Sequence, residues 1–393
     1  MKFNTFQNRK PLKSAKQLGW NLVILTDLLK DDSRNVTKIK KGDYLEDGKI
    51  PIIDQGKQLI GGYSNLNEGF YNGDSYIVFG DHTRIIKYID FPSFIGADGV
   101  KVLKNKNKNI IDTKYLYYFL QSINIPDAGY SRHFKFLKEI IVPVPPLKVQ
   151  LQIVNKISKM YSITKKREQQ IEALSVLKQS VFLEMFGDPT SNPKRYVKKQ
   201  LKEIGEIITG NTPPRKDKDN YGDYVEWIKT NNINENSIYL SQAIEYLSEK
   251  GASIGRVVSE NSILVTCIAG SKSSIGRAAI ANRRVSFNQQ INAICPSEVI
   301  NTSFLYTQIK ILKPYIQSFS TNSMKIMISK TNFEKIEVIV PTLEAQTEFH
   351  HKFEQINSIE KKMKNSLICL EEMYDSLLHK SFNGELFKEE IKA

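Results

Sequence analysis

LKEIIVPVPPLKVQLQIVNKISKMYSITKK, residues 137–166, aligns without a gap with FEKIEVIVPTLEAQTEFHHKFEQINSIEKK, residues 333–362. The offset between the two stretches is constant at 196 residues. An internal repeat of this kind indicates that one structural unit occurs twice in the chain. The fold must therefore be assigned to one copy and then repeated. The equivalent positions that match are Ile140/Ile336, Val142/Val338, Val144/Val340, Pro145/Pro341, Leu147/Leu343, Gln150/Gln346, Lys165/Lys361, Lys166/Lys362, Leu174/Leu370, Ser180/Ser376 and Phe186/Phe382.

The repeat extends upstream more weakly. Trp20, Leu25 and Leu28 match the spacing of Tyr196, Leu201 and Ile204 at an offset of 176, and TKYLYYFLQS from Thr113 is similar to TSFLYTQIKI from Thr302 at an offset of 189. The change in offset indicates insertions within the copies, as expected where loops differ. The sequence therefore predicts two tandem copies, roughly residues 20–188 and 196–385.

The end of each copy has the pattern of a long helix. Apolar residues recur at spacings of three and four, which is typical of a helix with one narrow apolar seam. A length of about 40 residues corresponds to about 60 Å. We expect the two helices to pair antiparallel as a spacer, while the alternative is that each is a core helix of its own copy. The seam residues are Ile157, Met160, Ile171, Leu174 and Val181 in the first copy and Phe353, Ile356, Met363, Leu367, Leu370, Tyr374 and Leu377 in the second, with Thr164, Arg167, Lys178 and Glu360 as polar interruptions.

The remainder of each copy predicts a mixed α+β module. Short apolar runs bounded by Gly, Asp and Asn at 75–81 and 259–270 predict strands, whereas residues 113–123 have helical periodicity. The predicted organisation is a basic N-terminal tail (1–19), a first module (20–145), a central long helix (146–188), a second module (189–341), and a C-terminal long helix with its tail (342–393).

Charge is distributed in the same pattern. The chain has 393 residues and a formal net charge of +14. Residues 1–145 carry 22 basic and 15 acidic side chains and residues 189–341 carry 20 and 13, so each module has an excess of +7. The segment 342–393 is acidic, with 7 basic and 10 acidic side chains. Two separate basic modules indicate two footprints on an anionic partner such as nucleic acid.

Composition excludes several classes of protein. With 40% hydrophobic and 25% charged residues the chain is of globular type rather than disordered or collagen-like. No apolar run reaches the roughly 18 residues of a membrane helix, and the N-terminus lacks the apolar stretch of a signal peptide. Cys267, Cys295 and Cys369 are too few and too scattered for a disulfide framework or a metal site. We expect a cytoplasmic protein that binds no membrane.

Sequence motifs of catalysis are missing. The chain has no GxxxxGK[ST], GxGxxG, HExxH or GxSxG motif, and GSKSSIGR (270–277) has the wrong glycine spacing for a phosphate loop. No Asp-Pro-Pro-Tyr or Asn-Pro-Pro-Tyr tetrapeptide of an amino-methyltransferase is present. His350 and His351 point to different faces of the second long helix and are interpreted as surface histidines. These features favour binding over catalysis, with no metal or catalytic site.

Several segments resemble the specificity subunit of Type I restriction-modification systems. In the second module these are WIKTNNI (227–233), SILVTCIAGSKSSIGRAAI (262–280) and SFNQQINAI (286–294). The passage from module to helix, IIVPVPPLKVQLQIV and IEVIVPTLEAQTEF, resembles the family pattern P-x-P-P-L-x-x-Q-x-x-I. The second copy departs from that pattern at Thr342 and Phe349. In the first module GADGVKV (96–102) replaces the NQQ segment, so the two modules need not read the same bases.

The resemblance, which covers nearly the whole chain after residue 19, implies a non-catalytic reader of double-stranded DNA. Two target-recognition domains would read the two parts of an asymmetric target, and the helices would set the unread spacer. It also implies two methyltransferase subunits that use S-adenosylmethionine to methylate adenine N6. Two further subunits would supply ATP- and Mg-dependent translocation and cleavage, so this chain would bind no cofactor itself. Methylation within a duplex requires base flipping, so the reader must hold distorted DNA.

Candidate DNA contacts are basic and amide side chains in loops, because these groups read base edges and bind phosphates. In the first module they are Lys57, His82, Arg84, Arg132, His133 and Lys135. In the second module they are Lys229, Asn231, Asn232, Lys272, Arg277, Asn288, Gln289, Asn322 and Lys325.

Besides a half-subunit or inactive copy of the same family that lacks partners, two other interpretations remain open at this point. One is a DNA- or RNA-binding adaptor built on a coiled coil, which would bind single-stranded RNA through surface aromatics. The other is a modification or restriction enzyme with a catalytic site that no sequence motif reveals, which would be active as the purified chain.

Overall fold

The computed structural model describes residues 15–129, 131–321 and 326–387. The chain divides into two units. The first unit contains the chain through Glu168 together with the residues from Asn365 onward, and the second contains Gln169–Lys364. Each of the two long helices therefore contributes one half to each unit. No helix among the described residues is long and apolar enough to cross a membrane.

The first unit is built from short strands and short helices that precede a long helix. Its strands are β1 (Asn21–Ile24), β2 (Leu29–Asp31), β3 (Lys38–Ile39), β4 (Ile50–Ile53), β5 (Gly62–Ser64), β6 (Tyr76–Gly80), β7 (Ile86–Ile89), β8 (Phe94–Gly96), β9 (Val100–Asn105) and β10 (Ile141–Val144). Its helices are α1 (Leu25–Leu28), α2 (Thr113–Ser122), α3 (Phe134–Leu137) and the first half of α4 (Leu147–Phe186).

The second unit repeats this order with additional short elements. Its strands are β11 (Lys198–Gln200), β12 (Gly205–Thr209), β13 (Tyr221–Ile228), β14 (Tyr246–Leu247), β15 (Val257–Val258), β16 (Ile263–Thr266), β17 (Ile268–Ala269), β18 (Ala278–Ile280), β19 (Val285–Phe287), β20 (Ile291–Pro296), β21 (Ile326–Met327) and β22 (Glu337–Ile339). Its helices are α5 (Leu201–Ile204), α6 (Glu249–Ile254), α7 (Thr302–Ile311), α8 (Lys313–Ser318), α9 (Lys330–Glu334) and the first half of α10 (Leu343–Phe382).

Each unit contains its own four-stranded antiparallel sheet of the same design. Its strand order is β2-β9-β6-β7 in the first unit and β12-β20-β16-β18 in the second. All residues of the inner strands β6 and β16 are buried. Both faces of these strands are covered, which explains why their sequences are continuous apolar runs rather than alternating apolar and polar residues. Helices α1 and α5 keep the offset of 176 residues and α2 and α7 keep that of 189. The predicted α+β internal repeat is confirmed.

A second sheet is repeated in three of its four strands, since β5 pairs antiparallel with β4 as β14 does with β13. β4 runs parallel to β8, and β13 runs parallel to β19. The other outer strand differs, because β3 lies parallel to β8 whereas β15 lies antiparallel to β19 and comes from a later part of its module. The repeat therefore diverges at one edge of this sheet.

A buried glutamine fixes the start of each long helix. The Gln150 side chain accepts a hydrogen bond from the Asp112 N–H (2.8 Å) and donates to the carbonyls of Ile110 (2.9 Å) and Pro145 (2.7 Å). It thereby satisfies one backbone donor and two backbone acceptors that burial would otherwise leave unpaired. Gln346 forms the equivalent bonds with Asn301, Val299 and Pro341.

The far end of each long helix completes a hydrophobic core. In the second unit, Phe182 and Phe186 of α4 pack on Phe304 and Phe349 with ring centroids 4.9–5.9 Å apart. All four rings are buried. In the first unit, Phe382 of α10 packs on Tyr115 (5.2 Å) and Phe119 (5.4 Å).

The polar interruptions of the two seams meet in the second unit. Lys178 of α4 and Glu360 of α10 form an ion pair in which each side chain is 7% exposed. Phe182, four residues after Lys178, packs on Phe349, eleven residues before Glu360, so the two helices run antiparallel. This confirms the predicted orientation. The equivalent positions in the first unit are the uncharged Thr164 and Tyr374.

Burial and hydrogen bonding act in opposite directions on this pair. Burial acts to raise the pKa of Glu360, but hydrogen bonds from Lys178 and Lys364 outweigh it and hold that pKa below its ordinary value of 4.5. A depressed carboxylate pKa stabilises the fold above the unfolded-state pKa, and that stabilisation is lost as the pH falls through the folded-state pKa.

Replacing Glu360 with Ala is expected to lower the free energy of unfolding by about 3 kcal/mol at pH 7, because Lys178 is left buried without its partner. The double variant Lys178→Met/Glu360→Leu is expected to regain most of that loss, because it removes both charges. Urea unfolding followed by circular dichroism measures both effects. Glu348→Ala is the control, since its pair with Lys352 is exposed and worth about 0.5 kcal/mol or less. Equal stability of the Glu360→Ala and wild-type proteins would contradict the role assigned to the pair.

Candidate nucleic-acid interface

The three segments singled out in the second module converge at one end of its sheets. The Asn288 N–H donates to the Ile228 carbonyl (3.0 Å), which joins the ends of β13 and β19. The N–H groups of Cys267 and Ile268 donate to the Gln290 carbonyl (2.8 and 3.1 Å). Residues 229–232, 267–272 and 288–290 thus form one surface, the loop edge of the second module. Parallel strands place their carboxyl ends together, which is why β13 and β19 deliver two of these loops to the same place.

Two predicted amide contacts of this edge are structural. The Asn232 side chain is buried, accepts from the Lys229 N–H (3.0 Å) and donates to the Gln242 carbonyl (2.9 Å). The Asn288 side chain is buried and donates to Gln290 Oε1 (3.0 Å). Both amides hold the loops in shape. Sequence reasoning selected them for their chemistry, and their burial follows only from the tertiary packing.

The predicted cations of this edge are paired or exposed. Lys229 forms an ion pair with Glu245 and lies 4.9 Å from the ring of Trp227. A hydrogen bond from Lys229 holds the pKa of Glu245 below its ordinary value. Arg277 lies 3.6 Å from Glu235. The side chains of Asn231, Lys272 and Gln289 are exposed, while Asn322 and Lys325 lie outside the described residues.

Sequence reasoning missed Arg215. Its guanidinium lies 5.1 Å from the ring of Trp227 and 5.4 Å from that of Tyr221, and it bonds to Glu245 at 3.1 Å. A planar cation stacked on aromatic rings beside a loop edge has the chemistry that binds phosphates and base edges. The PPR sequence at 213–215 signals only a turn, so the sequence offered no direct sign of this arrangement.

In the first module the corresponding edge is built around the turn after β6. The Asp81 N–H donates to the Gly99 carbonyl (2.7 Å), and Thr83 Oγ1 donates to the Gln55 carbonyl (2.7 Å). Residues 54–57, 80–84 and 96–99 form the loop edge of the first module. It contains the predicted residues Lys57, which is exposed, and His82, which is half-buried.

His133 anchors a further segment to this turn. The side chain is 1% exposed, and its Nδ1 lies 2.9 Å from the Asp81 carbonyl oxygen while Nε2 accepts from the Ala128 N–H (3.2 Å). The Nδ1 therefore carries the proton and donates. The Phe134 N–H donates to the Asp81 carboxylate (2.8 Å). His133 thus positions this segment. Its predicted neighbours are exposed, Arg132 just before His133 and Lys135 in α3.

Arg84 lies in the left-handed backbone region with φ of 61°. Its guanidinium bonds to Asp127 (2.7 Å) and donates to the Ile125 carbonyl (3.3 Å). These contacts tie the turn to the segment that follows α2. The hydrogen bond from the Gly129 N–H, together with the Arg84 guanidinium, holds the pKa of Asp127 below its ordinary value.

A cavity of about 350 Å³ opens at the loop edge of the first module. Tyr44, Asp54, Gln55 and Asp98 are among its lining residues, and none of them was predicted as a contact. Burial raises the pKa of Tyr44 to about 12, with further contributions from Asp54 and Asp98. The predicted contacts were basic and amide side chains, so the carboxylates of Asp54 and Asp98 were not among them. Lys40 and Lys41 also line the cavity.

Within residues 15–129, 131–321 and 326–387, no group of three or more His, Cys, Asp or Glu side chains is placed to hold a metal ion.

Comparison with known proteins gives a consistent assignment. A family model described as Type I restriction modification DNA specificity domain matches residues 17–173 and 193–368. The HindI specificity subunit of Haemophilus influenzae is 31% identical over 49% of this chain and 42% of its own length. The EcoR124I/EcoR124II specificity subunit of Escherichia coli is 24% identical over 69% of this chain and 70% of its own length. This chain thus matches less than half of the Haemophilus subunit.

Solved structures agree on the fold. The S subunit of a Type I restriction-modification system from M. genitalium superposes with a TM-score of 0.54 at 16% identity and covers 92% of this chain and 96% of that one. A chain from a study of complex assembly in a type I R-M system gives 0.55 at 14% identity and covers 92% and 97%.

Replacing His133 with Ala is expected to lower the free energy of unfolding by about 2 kcal/mol, because two buried hydrogen bonds and the packing of the ring are lost. Thermal unfolding followed by circular dichroism measures the change. Arg132→Ala is the matched control at an exposed neighbouring position and is expected to change stability by about 0.5 kcal/mol or less. A His133→Ala protein as stable as this control would show that the ring does not anchor the loop.

Proposed function

Because the chain belongs to the Type I restriction-modification DNA specificity family, we propose that it reads a two-part, asymmetric sequence in double-stranded DNA, one part with each module. The observation that carries the proposal is the pair of loop edges, which follow equivalent strands in the two units and differ in sequence. Divergent loops on a repeated scaffold are the expected arrangement for two readers of different targets. The excess of +7 in each module supports a phosphate contact at both.

The chain supplies specificity and no catalysis. We propose that it directs two methyltransferase subunits and two restriction subunits, which carry S-adenosylmethionine, ATP and Mg. The support for this is family membership together with the absence of catalytic sequence motifs. A base that is to be methylated must leave the duplex, so the reader holds DNA that a partner distorts.

Co-expression of the chain with a cognate methyltransferase subunit, followed by genome-wide mapping of N6-methyladenine, tests the proposal. A single methylated motif with two fixed parts and an unread spacer is expected. Replacement of residues 20–145 by another recognition module is expected to change one part only, because the other loop edge is untouched. Methylation without a two-part motif, or a swap that changes both parts, would contradict two-part reading.

The long helices are proposed to set the spacer. Deleting one heptad from the middle of each, residues 165–171 and 365–371, removes about 10 Å of helix. At about 34 Å per turn of 10–10.5 base pairs, the mapped spacer is expected to shorten by about three base pairs with both parts unchanged. The control deletes the heptad from α4 alone, which misaligns the two helices and is expected to abolish methylation. An unchanged spacer after the paired deletion would contradict this role.

A further inference from the structure

Equivalent backbone positions at the two loop edges carry a carboxylate in the first module and an amide in the second. In the first module the Asp81 N–H donates to the Gly99 carbonyl (2.7 Å), and in the second the Cys267 N–H donates to the Gln290 carbonyl (2.8 Å). Each bond joins the residue after the central strand to the residue before the strand that pairs with it. GADG and NQQ therefore occupy the same place, and the residues preceding the two bonded carbonyls are Asp98 and Gln289.

Asp98 is an exposed carboxylate on the wall of the first-module cavity. Within the described part of the chain it forms no hydrogen bond or ion pair. Asp54, the other carboxylate of that wall, accepts from the Gly56 N–H (2.8 Å) and from Lys87 (3.4 Å). Asp98 is thus the carboxylate that remains open to an external donor.

The cavity is arranged around the GADG loop. A side chain at Gly96 would collide with the hydroxyl of Tyr44, and a side chain at Gly99, where φ is +56°, would come within 2.8 Å of the Gln55 amide. The two glycines therefore let Tyr44 and Gln55 pack against the loop that carries Asp98. Lys40 and Lys41 lie on the same cavity and lower the cost of bringing a carboxylate close to phosphates.

A carboxylate accepts hydrogen bonds and cannot donate them. In the major groove cytosine presents the N4 amino donor, whereas adenine presents N6 beside the acceptor N7, which repels a carboxylate. Glutamine carries both a donor and an acceptor, as adenine requires. Gln289 is exposed and accepts a hydrogen bond from Thr212.

We propose that Asp98 is a specificity-determining residue of the first module, accepting a hydrogen bond from the N4 amino group of one cytosine in its half of the target. The inference rests on the proposed function, since it names the base that one loop of that reader selects. Gln289 holds the equivalent place in the second module and favours adenine.

The test is methylation mapping of cells that carry the chain, or its Asp98→Asn variant, with the methyltransferase subunit. The wild-type motif is expected to contain a fixed C·G pair in the half read by the first module. Because an asparagine amide suits adenine, Asp98→Asn is expected to relax that one position toward A·T and to leave the other half unchanged. Asp90→Asn is the matched control, since Asp90 is exposed and follows the far end of β7.

If the variant methylates DNA too weakly for its motif to be mapped, binding affinity provides a second measurement. Purified complexes are titrated with duplexes that differ only in the C·G or A·T pair at that position. The wild-type complex is expected to prefer C·G by about tenfold, and Asp98→Asn is expected to lose that preference. An unchanged motif or an unchanged preference overturns the role of Asp98, whereas absence of any two-part motif with the wild-type chain instead overturns the proposed function.

Discussion

Each module core is completed by a helix that begins in the other copy. Phe182 and Phe186 reach the core of the second unit at the end of a helix that starts at Leu147, and Phe382 reaches the core of the first at the end of a helix that starts at Leu343. Burying an aromatic ring of this size contributes about 2–3 kcal/mol. The core of each module therefore includes aromatic side chains from the long helix of the other copy.

The structure separates what the repeat preserves from what it varies. Inner strands, the glutamine clamps at Gln150 and Gln346 and the aromatic helix ends are common to both copies. The edge strands β3 and β15 and the loops differ, because such peripheral segments tolerate change. The Lys178–Glu360 pair is also confined to one unit. The pair distinguishes one helix contact from the other, because the equivalent positions in the first unit are uncharged.

The architecture could be predicted from the sequence more accurately than the individual side-chain contacts. The repeat, the passages from module to long helix and the apolar seams are local signals that do not depend on the arrangement of the loops. Lys178 and Glu360 each look like a defect in a seam, and only the antiparallel packing shows that they neutralise each other. His133 and Asn288 have the chemistry of base readers but are buried, which depends on long-range packing. Asp98 was missed because a search for basic and amide groups excludes carboxylates.

Two-part reading is tested most directly by the affinity of the assembled complex for four duplexes that carry both halves of the mapped target, either half alone, or neither. Each mismatched base pair costs about 1–3 kcal/mol, so scrambling one half of a few base pairs is expected to weaken binding at least a hundredfold. Scrambling the second half as well is expected to bring binding down to the non-specific level. If either single-half duplex bound as tightly as the complete target, one module would suffice and two-part reading would be contradicted.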